Sequence, residues 1–191
     1  MEISSEEYFA YLKTRSKIAD IYRKFVLYPS VNSVLKGKVL DVGCGIGDFL
    51  AFRKVNTVGI DINPLNVNYC KSNKQEAFVI EGSTYPFEKQ SFDSVILDNV
   101  LEHLVQPEIT INEISRVLKS NGVLVIGVPG KKGYTMDSDH KKFYDEVEMN
   151  KLLVQNNYTN IGFKYMPCFI KSNFLSKSIS QYVIYGIYKK N

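Results

Sequence analysis

The chain is predicted to fold as an α/β three-layer sandwich, a mostly parallel β-sheet with helices on both faces. Three observations carry that prediction. Short apolar segments alternate with amphipathic ones along the sequence. Residues 95–97 and 123–128 are apolar runs of the kind expected for strands buried on both faces. A glycine-rich turn, Gly43-Cys44-Gly45-Ile46-Gly47, directly follows one of the predicted strands. Strand–helix–strand order implies right-handed crossovers and a parallel sheet. Ligands of such sheets bind outside the carboxyl ends of the strands, so candidate site residues should lie just after strands.

The elements follow in order. In residues 4–28, Tyr8, Tyr11, Leu12, Ile18, Ile21, Tyr22 and Phe25 recur at roughly helical spacing, and Pro29 is expected to end this N-terminal helix. Residues 38–42 form the first strand, which leads into the glycine turn and a short helix through Phe49, Leu50 and Phe52. Residues 57–61 are the second strand; Asn63 suits the N-cap, and Pro64 the first position, of the next helix. Residues 77–81 and 92–97 are the third and fourth strands. Pro107 opens a helix with Ile111, Ile114, Val117 and Leu118 on one face, and Asn121-Gly122 is the expected stop. Residues 123–128 are the fifth strand, broken by Pro129-Gly130. Residues 130–142 lack apolar periodicity and read as a loop. Residues 144–156 predict a helix, and 161–169 and 182–189 two closing strands.

Composition bounds the function. The 191 residues suit one domain, and 45% hydrophobic content supplies its core. No apolar run is long enough for a membrane helix, and the N-terminus has no basic-then-apolar leader. Three widely spaced cysteines, Cys44, Cys70 and Cys168, argue against a disulfide framework and show no zinc spacing, so a cytoplasmic location is expected. The net charge of +4 is spread along the chain rather than gathered into a basic face, so no nucleic-acid partner is expected.

The glycine turn has the spacing Gly-x-Gly-x-Gly and is preceded by Asp41. Glycine allows a sharp turn and close approach of a ligand. A dinucleotide fingerprint has a different spacing and favours phosphate, whereas an acid beside the loop repels phosphate and attracts an ammonium group. That disfavours a nicotinamide dehydrogenase. Asp61 ends the second strand, where a carboxylate can accept both ribose hydroxyls, and Ile62 beside it can pack on an adenine face.

These residues resemble the signature of class I S-adenosylmethionine-dependent methyltransferases. The resemblance runs from Asp41-Val42-Gly43-Cys44-Gly45-Ile46-Gly47 and Gly59-Ile60-Asp61 through residues 91–103 to residues 113–126, and is closest to the branch that modifies small molecules. It implies a seven-stranded sheet whose last strand is antiparallel, and S-adenosylmethionine as cofactor. It divides the chain, as a single domain over 1–191, into a helical lid (1–30), a cofactor-binding core (36–130) and a substrate-side region (131–191). Gly43, Cys44 and Gly45 would line the methionine moiety, Asp41 would order the loop or meet the ammonium, and Asp61 would hold the ribose. After the third strand come Gly82 and Ser83. Many relatives have an aspartate at the latter position to accept from the adenine amino group, and a serine hydroxyl accepts more weakly. Asp98 and Asn99 would border the reacting methyl, or cap the following helix.

Methyl transfer to a neutral thioether leaving group needs mainly alignment and exclusion of water. A base is needed only where the acceptor must lose a proton. The two histidines, His103 and His140, are the candidates, each alternatively a histidine that bonds a nearby loop; many relatives place a similar histidine and aromatic pair where His140 and Tyr144 stand. Tyr144 would wall the acceptor pocket or cap a helix. Tyr8, Tyr11 and Arg15 on the lid would shield the site, or simply pack. The Pro-Pro-aromatic pattern of nucleic-acid amino-methyltransferases is missing after Asp98-Asn99. Carboxylates for a catechol-type metal enzyme are not evident beyond Asp137 and Asp139, so no metal is expected. The expected acceptor is a small polar metabolite, such as a sugar or a phosphorylated or nucleotide-linked precursor of surface polysaccharide. The alternatives are a quinone or other aromatic acceptor, or a non-catalytic S-adenosylmethionine-binding protein. A monomer or homodimer is expected.

Overall fold

The computed structural model describes residues 4–14 and 16–191. Its centre is a seven-stranded sheet: β1 (Val39–Val42), β2 (Thr57–Asp61), β3 (Ala77–Val79), β4 (Phe92–Asp98), β5 (Leu118–Pro129), β6 (Tyr158–Met166) and β7 (Val183–Lys190). The spatial order is β3-β2-β1-β4-β5-β7-β6. The pairings β1–β2, β1–β4, β2–β3 and β4–β5 are parallel, and β7 runs antiparallel to both β5 and β6. The order reverses at β1, so the tips of β1, β2 and β4 meet at the switch point where a ligand binds.

The layers follow from side-chain alternation along buried strands. Leu124, Ile126 and Val128 of β5 face one core, with Ile111 and Ile114 of α6 (Pro107–Val117) and Met149 and Leu153 of α8 (Glu146–Gln155). Val123 and Val125 face the other, with Leu27, Tyr28, Val31 and Phe49. Burying each such side chain is worth about 1.5–3 kcal/mol. The remaining helices are α1 (Ser5–Lys13), α2 (Lys17–Tyr22), α3 (Tyr28–Asn32), α4 (Asp48–Phe52), α5 (Pro64–Ser72), α7 (Lys131–Thr135) and α9 (Asn173–Ser178). None of the described helices is long and apolar enough to cross a membrane.

Several boundaries differ from the sequence reading. The N-terminal helical segment is broken into α1 and α2, and a π-helical turn, Arg23–Leu27, leads on into α3. Pro29 does not end it: it sits in the first turn of α3, directly after the π-helical turn, and the helical backbone runs on through it. Asn121-Gly122 is not the stop of α6. That helix ends at Val117, because Leu118 pairs with Phe92 and starts β5, and residues 119–122 bulge out before Val123 rejoins opposite Ser94. Residues 130–142 contain α7, too short to show periodicity, and α9 was not foreseen. Asn63 does cap α5, accepting from the Leu65 amide at 3.0 Å.

Candidate active site

The glycine turn hangs on the tip of β2. The amides of Gly43 and Cys44 donate to the Ile60 carbonyl at 2.8 and 3.0 Å, and the Gly45 amide donates to Asp61 Oδ2 at 2.8 Å. The other oxygen of Asp61 accepts from the Asn63 amide at 2.8 Å. Gly43 has φ +73°, and a Cβ there would run into Val100 Cγ2, so only glycine fits. Behind the turn, the Cys70 thiol donates to the Gly45 carbonyl at 3.4 Å and Gln75 Nε2 to the Gly47 carbonyl at 2.9 Å. The buried Cys44 thiol is pushed up by its bond to Cys70 and by burial.

Three carboxylates converge at this switch point. Burial, followed by the charges of Asp98 and Asp61, holds Asp41 well above the usual carboxylate range. Burial also raises Asp61, against the pull of the Asn63 and Gly45 amides. Asp98 does not cap a helix: the turn after it has Val100 at its N-cap and no side-chain cap. Its Oδ1 instead accepts from the Tyr185 hydroxyl at 2.8 Å and from Asn99 Nδ2 at 3.0 Å. Asn99 is exposed, with φ +53°. Ile62 is 75% exposed beside Asp61, as an open apolar shelf, and Gly82 and Ser83 lie in an exposed turn past β3.

The lid closes differently from the expectation. Tyr11 is 68% exposed and pairs with Tyr8 at 6.5 Å between ring centroids. The α1 residue set over Gly45 is the buried Leu12, and Asn63 Nδ2 fastens the helix by donating to the Ser5 carbonyl at 2.9 Å. Arg15 lies outside the described residues. A cavity of about 230 Å³ opens between Leu12, Asp20, Ile46, Asp48 and Tyr69.

On the far side of Asp98, a single 3-10 turn (Leu101–His103) carries Glu102 and His103 to the segment around His140. The Glu102 carbonyl accepts from the Lys141 and Lys142 amides at 2.7 and 3.3 Å, which locks the two segments together. His140 lies parallel to the Tyr134 ring, 5.2 Å away, and its Nδ1 donates to the Tyr134 carbonyl at 2.8 Å. Its Nε2 lies 3.8 Å from Glu102 Oε1 and 4.0 Å from Asp137 Oδ2. The His103 ring lies 4.6 Å from it, with Nδ1 at 3.3 Å from Asp139 Oδ2. Burial and the neighbouring His140 lower His103. Burial pushes Glu102 up to about 8. Tyr144 is buried and does not cap α8, whose N-cap is Asp145. It walls a cavity of about 410 Å³ together with Leu104, Pro107, Glu108, Lys142 and Leu152.

Residues 40–126 match the family model for a methyltransferase domain. The matched stretch is a methyltransferase domain of the class I S-adenosylmethionine-dependent kind. The methyltransferase is 26% identical to an uncharacterized protein of Methanocaldococcus jannaschii over 76% of this chain and 80% of that protein. It is 31% identical to the tRNA (carboxymethyluridine(34)-5-O)-methyltransferase of Xenopus tropicalis over 58% of this chain, but spans only 18% of that relative. A solved S-adenosylmethionine-dependent methyltransferase of Aquifex aeolicus shares the fold, with a TM-score of 0.72 over 100% of each chain at 18% identity.

The cofactor of this methyltransferase domain is S-adenosylmethionine, and the residues present fit it. The acidic cluster of Asp41, Asp61 and Asp98 beside the turn is unfavourable by itself and suits a ligand bearing ammonium and sulfonium charges. Sequence reasoning missed Glu102, Leu12 and Tyr185. Leu12 and Tyr185 read as ordinary core residues, and only the sheet register brings Tyr185 opposite Gly127, next to Asp98. Tyr22 shows in the sequence only as a helix-face residue; burial, then the charge of Asp98, pushes its hydroxyl up to about 12.

Proposed function

We propose that the methyltransferase transfers the methyl group of S-adenosylmethionine to a small polar acceptor bound on the Asp98 side of the strand tips. The observation that carries this reading is the polarity of that side: Asp98, His103, Asp137 and Asp139 surround one short turn, over the buried Glu102 and His140. An apolar quinone gains little there, and a phosphate backbone would meet mostly carboxylates. A sugar, or a phosphorylated or nucleotide-linked sugar whose hydroxyls contact this side, matches it better.

The bound cofactor supplies a methyl group on a sulfonium, already activated for displacement. Asp61 accepts from the ribose hydroxyls while still holding the turn through Gly45. The Gly43–Gly45 backbone receives the amino-acid end, and Asp41 provides compensating charge. Asp98, held by Tyr185, and Asn99 border the transferred methyl. Leu12 covers the glycine turn and excludes water.

The named tRNA-modifying relative favours a second reading, an RNA nucleoside as acceptor. Incubation with labelled cofactor, separately with a polar metabolite pool and with total RNA, separates the two. Label in the small-molecule fraction is expected. Label in RNA alone would replace the first reading with the second, and no label in either, with the cofactor bound, would mean a binding protein without turnover.

A further inference from the structure

We infer that Glu102, His103 and His140 form a binding site for a divalent transition-metal ion of the zinc or manganese class. One ligand atom from each, a carboxylate oxygen and two ring nitrogens, lies within 4.8 Å of the other two. Two imidazoles and one carboxylate are a donor set suited to such ions, and poor for magnesium, which prefers oxygen alone. The sequence pointed to no metal, since Glu102 comes from the turn after β4 and His140 from the segment before α8.

The independent observation is Glu102 itself. Its side chain is 1% exposed, and no other residue gives either carboxylate oxygen a hydrogen bond. A buried carboxylate without a partner costs several kcal/mol, and such groups are otherwise paired or bound to metal. It is aimed at another acceptor. The Tyr134 carbonyl can only accept, so His140 Nδ1 carries a proton, and in the neutral ring Nε2 is the lone-pair nitrogen, 3.8 Å from Glu102 Oε1. Two lone-pair bearers facing each other in a buried space call for a positive charge between them. A proton would serve one pair, while a metal ion serves the carboxylate and both rings.

The surroundings are those of a metal site. The Tyr134 carbonyl sets the tautomer of His140, and Asp139 Oδ2 holds the ring of His103. Such outer contacts orient metal-ligating imidazoles. Asp137 Oδ2, 4.0 Å from His140 Nε2, is placed to add a fourth donor. Bonds of about 2.0–2.2 Å to a tetrahedral ion set neighbouring donors about 3.4 Å apart. The triangle here is therefore slightly open and closes by small side-chain rotations. Metal binding at this site stands or falls independently of methyl transfer.

The test is calorimetric titration of the tag-free full chain, stripped with chelator and dialysed, with zinc, manganese and magnesium chlorides in turn. One ion per chain is expected for zinc or manganese, with magnesium much weaker. Glu102→Gln keeps the shape and removes the charge, so its metal-free melting temperature should equal or exceed that of the unmodified chain, while its affinity falls by more than about 100-fold, beyond what outer contacts are worth. Should that variant fail to fold, His103→Gln, at a partly exposed ring, is expected to lower affinity in the same way. Absence of saturable binding of either ion below about 100 μM, or a folded variant that binds within threefold of the unmodified chain, overturns the site and leaves a protonated Glu102 as the explanation.

Discussion

The two sides of the strand tips are built by opposite means. On the β1–β2 side, the proposed cofactor site is built from backbone: a turn with little side-chain bulk, held by the Ile60 carbonyl and one carboxylate, Asp61, within 21 residues of sequence from Asp41 to Asp61. On the β4–β5 side, the proposed acceptor site is built from side chains of distant segments, with Glu102 and His103 meeting His140 and with Tyr185 reaching Asp98. Backbone recognition suits a ligand that never changes. Side-chain recognition leaves the acceptor free to differ from one protein to the next while the cofactor half stays the same.

If the cofactor half depends on backbone, the most disruptive small change is a methyl group in the turn. Gly43→Ala places a Cβ on Val100 at φ +73° and should cost about 2–4 kcal/mol of stability, read by denaturant unfolding. An alanine accommodated within about 0.5 kcal/mol would break the contrast. Next in size, Asp61→Ala removes both the proposed ribose acceptor and the tie to Gly45. Affinity for S-adenosylhomocysteine should fall about 100-fold, or about 2.7 kcal/mol, by calorimetry. Tyr185→Phe probes the opposite half. Loss of a hydrogen bond to Asp98 should cost about 1.5 kcal/mol of stability and slow turnover, with cofactor affinity changing less than it does in Asp61→Ala. An equal loss of affinity in the two variants would mean that the halves are not separable.

The smallest effect lies outside both halves. Glu113 accepts from Arg116 at 2.6 Å and from the Tyr85 amide at 2.6 Å, and Arg116 beside it holds Glu113 below its ordinary value of 4.5. A depressed folded-state value means that the contribution is complete above the unfolded value and fades as pH falls through the folded one. Melting temperature should therefore decline below about pH 4.5, and Glu113→Gln should flatten that part of the decline while leaving cofactor affinity unchanged.

Much of the fold was legible because its signals are local. Continuous apolar runs marked β4 and β5, Asn63-Pro64 marked the start of α5, and the glycine spacing after β1 marked the cofactor turn. Local signals also misled: Asn121-Gly122 has the chemistry of a helix stop, but pairing of Leu118 with Phe92 ended the helix first. The two histidines were identified as candidates for proton transfer, and each also proved to bond a loop, through Asp139 and the Tyr134 carbonyl.

The order of residues along the chain was enough to decide the alternation of strands and helices, the bare turn and the acid at the end of β2, because each depends on neighbours a few positions apart. The arrangement in space decided which side chains share the acceptor side. Leu12 over Gly45, Tyr185 on Asp98, and Glu102 buried against His140 are contacts between segments separated by 33 to 87 positions. No periodicity encodes such pairs. They exist because the sheet order and register, set by burial of whole strands, bring their ends to one place.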